Sequence, residues 1–336
     1  MGNKSGLKTM SIGGATYDLF VRTAHDLVQT EQKKQATLAL PLGEKIRVQD
    51  VIQTCGGGAC NTAVGFARLG ADAYVSCILG SDQWGEALLQ NFHAEHVRTN
   101  CTTIVEKEHS SFSIILSAGS GERVILYSPG TNDHLHDATF DRETACNMDW
   151  IYLNHIQEGS CIIQDDIIDI LTGNHALRMT WNPGGCQLDM GIKEKHMSKL
   201  LTYTTILLLN QEEAYRFTKT ETIDDALYAL CRAGPKIICI TQGKNGVTAT
   251  DGTAQYHCPV PHRSTVVDTT GAGDAFGTAV SFAIAEGWTL SDALKAGTFN
   301  AANVVGVFGA QAGLLSKKRL LADITQKPLA ISVSPL

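Results

Sequence analysis

Residues 268–277 read Asp-Thr-Thr-Gly-Ala-Gly-Asp-Ala-Phe-Gly, a glycine-rich turn that leads into a segment of small residues with helical character. The first backbone N–H groups of a helix have no partner within the helix, and together with the helix dipole they attract anions. Such a site suits the negative charge that develops on a phosphoryl group during its transfer. Asp274 would lie in the first helical turn, where it can accept a proton from an attacking hydroxyl. The same position also suits an acid that only stabilises the start of a helix, so this segment alone leaves both interpretations open.

The sequence that precedes this segment alternates between two patterns. Short apolar runs are separated by helical segments, and the runs occupy 150–153, 178–181, 205–209 and 237–241. Because parallel strands need long crossover connections, this alternation predicts βαβ units and a parallel sheet. Residues 274–285 and 290–308 are rich in Ala and Gly, as expected of closely packed helices.

The N-terminal part of the chain carries the signals of a smaller β structure. The apolar run at 9–20 is interrupted by Gly13-Gly14, which predicts a buried strand and a tight turn that brings Asp18 to a strand end. Residues 111–116 and 122–127 flank a Gly/Ser-rich stretch and predict a hairpin, which can form a small β appendage together with residues 35–53. Helices are predicted at 61–69 and 83–95, with a strand at 74–79.

Length, charge and composition restrict the class of protein. A chain of 336 residues can form one large α/β domain. The formal net charge of −7, without any Lys/Arg-rich run, argues against nucleic acid or a membrane as the main partner and favours a small polar ligand. No stretch approaches the roughly 18 apolar residues that a transmembrane helix needs, so we expect a cytoplasmic protein. The ten scattered cysteines include no CxxC pair, which favours reduced thiols over a zinc or redox site.

A second glycine-rich stretch, Gly56-Gly57-Gly58-Ala59-Cys60-Asn61, lies in the N-terminal part of the chain. Glycines let a backbone approach a ligand closely, and an Asn amide can both donate to and accept from a vicinal diol. Taken alone, this stretch is more simply interpreted as a plain loop.

Considered together, the two stretches resemble the two signatures of the PfkB family, the ribokinase-like carbohydrate and nucleoside kinases. Residues 268–274 match every fixed position of the second signature, DTxGAGD. Residues 55–85 resemble the first signature in the order and spacing of their motifs. The chain contains no G-x-x-x-x-G-K-[ST] motif, so it is not a P-loop kinase.

The resemblance implies the roles of the two glycine-rich stretches. In the family the closing aspartate is the catalytic base and the amides of the preceding GAG form an anion hole. This assigns Asp274 as the base, with the anion hole formed by Gly271, Ala272 and Gly273.

The resemblance also implies the acceptor site. The family binds sugar hydroxyls with GGxxxN and with an aspartate near the first strand. These residues correspond to Gly56, Gly57, Asn61 and Asp18 in this chain.

The resemblance places the nucleotide farther along the chain. The family's N-x-x-E motif positions magnesium and phosphate, which makes Asn210 an ATP-binding residue and Glu213 a candidate for Mg²⁺, acting through water. The same pair is also the pattern of an ordinary helix capping box, and the two interpretations are compatible.

Three further nucleotide contacts follow from the family's T-x-G-x-x-G motif, which corresponds to Thr241, Gly243 and Gly246. Asn300 corresponds to a position near the adenine. Asp268 heads the second signature, and in potassium-activated members the equivalent acid lies near a monovalent cation, which makes it a candidate for K⁺.

The fold implied by the resemblance is a ribokinase-like three-layer α/β/α sandwich with a small β-sheet lid. The kinase domain would span 9–325, with the lid contributed by about 19–53 and 105–130, and 327–336 would form a C-terminal tail. Because lids pair in some members of the family, a homodimer through the lid is a further expectation.

The activity implied is transfer of the γ-phosphoryl group of ATP to a hydroxyl of a sugar. Ribokinase-like members prefer GGKGAN, whereas this chain has Gly58-Ala59-Cys60 before the Asn, so ribose itself is in doubt. A nucleoside acceptor stays open, with its base in a slot that Tyr17, Phe20 and Phe112 could supply. A non-catalytic sugar- or nucleotide-binding protein is the alternative from another class, but it would be expected to lack the aspartate or the glycines of the second signature.

Overall fold

The computed structural model of the chain describes residues 6–23, 28–29, 37–117, 123–136, 140–156, 161–261 and 266–336. In these residues the strands are β1 (Lys8–Ile12), β2 (Thr16–Thr23), β3 (Val28–Gln29), β4 (Thr37–Leu38), β5 (Val48–Gly56), β6 (Asp72–Ser76), β7 (Ile78–Gly80), β8 (Thr103–Val105), β9 (Phe112–Ser117), β10 (Arg123–Ser128), β11 (Trp150–Leu153), β12 (Arg178–Trp181), β13 (Ile206–Asn210), β14 (Ile237–Thr241), β15 (Val247–Thr250), β16 (Ala254–Cys258) and β17 (Ser332–Pro335).

The helices of the described residues connect and cover these strands. They are α1 (Gly58–Arg68), α2 (Gln83–Ala94), α3 (Arg142–Cys146), α4 (Cys161–Gly173), α5 (Gly185–Met190), α6 (Lys195–Tyr203), α7 (Gln211–Thr218), α8 (Ile223–Ala233), α9 (Ala272–Ala285), α10 (Leu290–Val304) and α11 (Lys317–Gln326). Short 3₁₀ helices occupy Gly130–His136 and Gly243–Asn245. None of the helices in the described part of the chain is long and apolar enough to cross a membrane.

The main sheet has the strand order β17-β16-β15-β14-β13-β12-β11-β1-β6. The strands from β14 to β6 pair in parallel, whereas β15, β16 and β17 are antiparallel. Successive side chains of a strand point to opposite faces, so Trp150 and Tyr152 of β11 pack with the layer of α9 and α10, while Ile151 and Leu153 pack with α4 and α6 to α8. This arrangement confirms the predicted three-layer α/β/α fold.

A smaller sheet with the order β10-β9-β2-β5 forms the lid. The predicted buried strand that ends at a tight turn is confirmed by β1, which ends at Ile12 in the main sheet, and the chain then enters the lid sheet at Thr16. Asp18 therefore lies inside β2 and not at a strand end. The predicted hairpin is confirmed by the antiparallel pairing of β9 with β10, whereas its Gly/Ser-rich connection lies outside the described residues.

Other differences from the predictions have local causes. The strand predicted at 74–79 is two strands, because β6 pairs with β1 whereas β7 pairs with β8. The helix predicted to run to 308 ends at Val304. In the turn that follows, the Val305 carbonyl accepts hydrogen bonds from the backbone N–H groups of Val267 and Asp268. The C-terminal residues, which carried no signal, contain β17, which forms because the edge of β16 supplies its hydrogen-bond partners.

Candidate active site

The candidate site is built around two helices that start side by side. Asn61, in the first turns of α1, donates through Nδ2 to Asp274 Oδ2 of α9 at 2.8 Å. One turn farther along both helices, a Cβ on Gly65 would approach Thr278 Cγ2 to 2.8 Å. Four residues farther along α1 and four residues farther along α9 lead from the first contact to the second. The two helices therefore run in the same direction, with their N-termini together. Two positive dipole ends are thereby brought to one place.

Glycines begin both helices. The residues before α1 and α9, Gly57 and Gly271, have φ of 89° and 76°, a backbone region that favours glycine, and no side chain caps either helix. A Cβ on Gly57 would also come within 2.6 Å of the Gly14 carbonyl oxygen, and one on Gly271 would overlap Ala310. The first N–H groups are thus left to the backbone and to ligands.

The predicted anion hole, 271–273, spans the start of α9. Gly273 is exposed, and a Cβ there would meet no described atom within 4 Å, so space is open above it. The expectation of three unpaired N–H groups is too broad, because the Ala272 N–H donates to the Thr269 carbonyl at 3.3 Å. That hydrogen bond is slightly longer than the usual range and therefore weak.

Asp274 lies in the first turn of α9, as predicted. Burial raises the pKa of its carboxyl to about 6, the hydrogen bond from Asn61 opposes this rise, and the charge of Glu213 adds to it. A carboxylate with this pKa is ionised at neutral pH and is a stronger base than an exposed aspartate.

Asp18 lies on the lid strand β2 and is 7% exposed. Ser113 Oγ of β9 donates a short hydrogen bond to its Oδ1. A Cβ on Gly56 would overlap Asp18 Oδ2, so the glycine makes room for this carboxylate. Burial raises the pKa of Asp18 to about 6, the Ser113 hydrogen bond opposes this, and the charge of Asp268 adds to it.

Asn154 joins this site although the sequence analysis missed it. It follows β11, is 2% exposed, and donates through Nδ2 to the Ile12 carbonyl at 3.1 Å and to Thr62 Oγ1 at 3.2 Å. Its Oδ1 is buried without a hydrogen-bond partner among the described residues, and it lies 2.8 Å from where a Cβ on Gly58 would stand. An unpaired buried oxygen is costly, which favours a ligand partner. The signal that could have found Asn154 is its position directly after a buried parallel strand.

The residues predicted to bind the nucleotide lie at the carboxyl ends of neighbouring strands. Asn210 of β13 pairs in register with Thr241 of β14. The Asn210 N–H donates to Glu213 Oε2 at 2.7 Å and the Glu213 N–H donates to Asn210 Oδ1 at 2.9 Å, which confirms the capping box. Gly243 and Gly246 follow β14, with φ of 54° and 87°.

The surroundings of Glu213 are compatible with Mg²⁺. Its charge raises the pKa of Asp274, so the two carboxylates repel each other across the site, and a divalent cation would offset this repulsion. Among the described residues there is no cluster of three metal-binding side chains. A single carboxylate assisted by water and by phosphate oxygens is a common arrangement for Mg²⁺.

Two predicted residues are engaged within the protein. Asn300 is 1% exposed, its Nδ2 donates to the Ala275 carbonyl at 2.8 Å, and its Oδ1 accepts from the Leu315 N–H at 2.9 Å. Its polar atoms hold α9 against the chain after α10, and its position near the adenine stays a prediction. Asp268 accepts from Thr270 N and Oγ1 and from Gly309 N, at 3.0, 2.7 and 3.2 Å.

The aromatic slot predicted for a nucleoside base is divided between two faces of the lid. Tyr17 stacks on Trp84 at 4.7 Å between ring centroids, and Phe112 lies 6.4 Å from the same ring. Because strand residues alternate, both lie on the face opposite Asp18. Phe20 alone shares the face of Asp18, so the three rings do not form one slot.

The chain is similar in sequence to known proteins of one family. A family model described as pfkB family carbohydrate kinase matches residues 21–318. A ribokinase of Bacillus subtilis (strain 168) is 28% identical over 299 residues, which cover 88% of this chain and 94% of that protein.

Solved structures share the fold. An Arabidopsis thaliana ribokinase complexed with ribose and ATP has a TM-score of 0.78 at 22% identity, covering 95% of this chain and 99% of the other. A Burkholderia thailandensis nucleoside kinase in complex with inosine has a TM-score of 0.76 at 17% identity, covering 95% and 100%. Because the family model spans most of the chain, the protein belongs to the pfkB family of carbohydrate kinases and is a phosphotransferase with an alcohol group as acceptor.

Proposed function

We propose that this enzyme transfers the γ-phosphoryl group of ATP to a hydroxyl of a sugar. The observation that carries the proposal is the placement of Asp274 in the uncapped first turn of α9, bonded to Asn61 of the neighbouring helix start. This arrangement puts a base beside an anion site, as phosphoryl transfer to a hydroxyl requires.

In the proposed mechanism the acceptor lies between the lid and the two helix starts. Asp18 and the unpaired Oδ1 of Asn154 accept hydrogen bonds from its hydroxyls, and the backbone at Gly56 and Gly57 allows close approach. Asp274 Oδ takes the proton of the attacking hydroxyl as that oxygen bonds to the γ-phosphorus and the bond to the ADP oxygen breaks. The N–H groups of 271–273 stabilise the charge on the transferring group.

ATP lies, in this proposal, along the carboxyl ends of β13 and β14. Asn210, Thr241, Gly243 and Gly246 would contact it, and Glu213 would hold Mg²⁺ through water. Bound Mg²⁺ would neutralise phosphate charge. Asp268 is a candidate for a K⁺ site, which a comparison of turnover in K⁺ and Na⁺ buffers would test.

A nucleoside is the second candidate acceptor. Next to Asp18 on the same face of the lid, Phe20 pairs in register with Ile52 and Ile115, and these apolar side chains could cover a base. The fold shared with a nucleoside kinase bound to inosine supports this candidate. An ATP-consumption screen over pentoses, hexoses, their phosphates and nucleosides, with product analysis, would separate the two classes.

The decisive variant is Asp274→Asn, which removes the base but keeps its shape. We expect turnover to fall by about 10²–10⁴-fold with little change in ATP affinity. Asp292→Asn is the matched control, because Asp292 is also a first-turn acid but lies on α10. Near-normal turnover of Asp274→Asn would reject Asp274 as the base, and a wild-type protein that binds acceptors without consuming ATP would support the non-catalytic alternative.

We also propose a homodimer through the lid and a cytoplasmic location. Val124, Ile125, Leu126 and Tyr127 of the edge strand β10 are all exposed, which a second lid could cover. Light scattering at micromolar concentration would test this, with a monomeric mass counting against the dimer. Nine of the ten cysteines are described as free thiols, which is compatible with a reducing compartment.

A further inference from the structure

We propose that Gln311 is a positioning residue of the phosphoryl-transfer reaction, because it fixes the orientation of the Asn61 amide and through it the orientation of the Asp274 carboxylate. This inference rests on the proposed function, in which Asp274 is the base. Gln311 belongs to none of the sequence motifs that mark the candidate site.

Three carboxamides form a continuous chain that ends at Asp274. Asn91 Nδ2 donates to Gln311 Oε1 at 3.0 Å, and Gln311 Nε2 donates to Asn61 Oδ1 at 3.3 Å. Asn61 Nδ2 then donates to Asp274 Oδ2 at 2.8 Å. Every amide group in the chain therefore donates towards the carboxylate.

The direction of the chain follows from the chemistry of its end. An ionised carboxylate only accepts hydrogen bonds, so Asn61 must present its NH₂ group to Asp274 and its carbonyl to Gln311. Gln311 must then present its own NH₂ group to Asn61. If either amide were rotated by 180°, two donors or two acceptors would face each other. Asn61 is only 4% exposed, so water cannot readily repair such a mismatch at its amide.

Gln311 is itself held from several sides. The second N–H of its amide points to Cys60 Sγ at 3.0 Å, and its backbone carbonyl accepts from Arg68 Nη1 at 2.7 Å. Arg68 is oriented by a bidentate pair with Glu95, at 2.8 Å from Nε and 2.6 Å from Nη2. Gln311 thus has a rigid base from which to orient Asn61.

A cavity of about 360 Å³ lies between β5 and the helices α1 and α2, and Gln311 lines it together with Asn91 and Gln90. The cavity gives a substituted side chain room, so replacements of Gln311 need not disturb the fold. Gln90 bonds to Glu86 on its own helix and not to the chain of amides. It therefore supplies a matched control on the same wall.

The test compares Gln311→Met and Gln311→Glu with Gln90→Met and Gln90→Glu. Met has a similar length but cannot donate, so Asn61 loses its fixed orientation. We expect kcat of Gln311→Met to fall about tenfold to a hundredfold, the effect of weakening one hydrogen bond to a charged group, with KM for ATP nearly unchanged. An ionised Glu also cannot donate, but keeps the shape of Gln, so Gln311→Glu should lose at least as much turnover. The Gln90 variants should keep the wild-type kcat.

A second readout does not depend on turnover. The Asp274 carboxyl, followed by ¹³C NMR against pH, should titrate at higher pH in Gln311→Met, because a less well-oriented Asn61 stabilises the ionised form less. Among the described residues, the ionisable groups whose fields reach Asp274 are Glu213 of α7 and Tyr152 of β11, and those near Gln311 are Arg68, Glu95 and Cys60. Gln311→Met changes none of these charges.

Failure of the inference is distinguishable from failure of the proposed function. A wild-type protein without transfer to any acceptor would reject the proposed function, whereas the NMR titration would still test the link from Gln311 to Asp274. A folded Gln311→Met variant with wild-type kcat and an unchanged Asp274 titration would overturn the inference. The inference would also be overturned if kcat fell equally in the Gln90 variants. The same holds if the fall in kcat across the variants only followed the fall in their melting temperature.

Discussion

At the scale of single residues, the candidate site depends on small groups that make room for charged ones. Gly56 leaves space for the Asp18 carboxylate, and Gly58 lies against the Asn154 carboxamide. Neither glycine has a positive φ, so the requirement at these two positions is space and not backbone conformation. The sequence motif shows which positions are glycine, but not which neighbour each one accommodates.

Gly56→Ala tests this requirement. The new Cβ would overlap Asp18 Oδ2 and displace the carboxylate from the acceptor, so we expect KM for the acceptor to rise about tenfold or more, from roughly 1–3 kcal/mol of lost hydrogen bonding. KM for ATP should change little, since the residues proposed to bind the nucleotide lie elsewhere. Steady-state kinetics in both substrates would measure this. Gly173→Ala is the control, because a Cβ there meets no described atom within 4 Å.

The raised pKa of Asp274 predicts a pH-dependent cost in stability. Its pKa near 6 in the folded protein exceeds the value of about 3.9 in an unfolded chain, so the folded state binds more protons between these values. Proton binding to Asp274 therefore stabilises the folded state relative to the unfolded state. This stabilisation is fully present below about pH 4 and is lost as the pH rises through 6. Asp274→Asn should therefore be more stable than the wild type at pH 7.5 by about 2–3 kcal/mol, for a shift of roughly two units.

Urea unfolding of Asp274→Asn and the wild type at pH 7.5 and at pH 4 would check this. The difference in free energy of unfolding should nearly disappear at pH 4. The same difference at both values would show that the substitution acts through packing and not through the carboxyl charge.

At the scale of elements, α9 is held close to the sheet by Gly277. A Cβ at this position would overlap the Tyr152 hydroxyl of β11 and lie 2.6 Å from Leu208 Cδ2 of β13. The Tyr152 hydroxyl is buried without a hydrogen-bond partner among the described residues. The close approach places the start of α9 at the carboxyl end of the sheet, where ligands bind in folds of this type.

Gly277→Ala should destabilise the protein by about 1–3 kcal/mol through overpacking. Tyr152→Phe alone should be neutral or slightly stabilising, because it removes an unpaired buried hydroxyl. The double variant Gly277→Ala/Tyr152→Phe should recover part of the stability lost in Gly277→Ala, since the new Cβ then occupies the space left by the Tyr152 hydroxyl. Denaturant unfolding of the four proteins forms a double-mutant cycle, and strictly additive effects would contradict the proposed contact.

At the scale of the whole molecule, the lid contacts the main domain at Phe308. The Phe20 ring lies 6.5 Å from the Phe308 ring, and the Arg22 guanidinium lies 4.8 Å from the centre of that ring. Phe308 precedes Gly309 and Gln311, so the contact connects lid strand β2 to the loop that carries the proposed positioning residue. A lid held in this way can keep water from the transferring phosphoryl group.

Phe308→Ala should loosen this contact. We expect KM for the acceptor to rise about threefold to tenfold, from roughly 1 kcal/mol of lost ring contacts. ATP hydrolysis without acceptor should increase relative to phosphoryl transfer. Both rates can be measured in one coupled assay, with Val307→Ala, an exposed neighbour, as the control. An unchanged ratio of hydrolysis to transfer would contradict a role of Phe308 in lid closure.

Much of the fold and the location of Asp274 in a first helical turn could be predicted from local patterns. Apolar runs alternating with helical segments specify a parallel sheet, and a glycine-rich turn before small residues specifies a helix start, because both depend on neighbours in sequence. The division of residues 9–20 between two sheets could not be predicted, since the strand partners of Asp18 come from β5 and β9, far away in the chain.

The contacts of individual side chains depended on tertiary packing. Asn300 matched a nucleotide position, yet its amide is used between α9 and the chain after α10. Tyr17 and Phe20 are both aromatic residues of β2, but only the alternation of a strand within its sheet places them on opposite faces. Residues 268–277 and 56–61 indicated a kinase through their resemblance to the two PfkB signatures, since each stretch taken alone left another interpretation open. The bond between Asn61 and Asp274, and the role proposed for Gln311 behind it, arise because packing brings together residues separated by more than 200 positions.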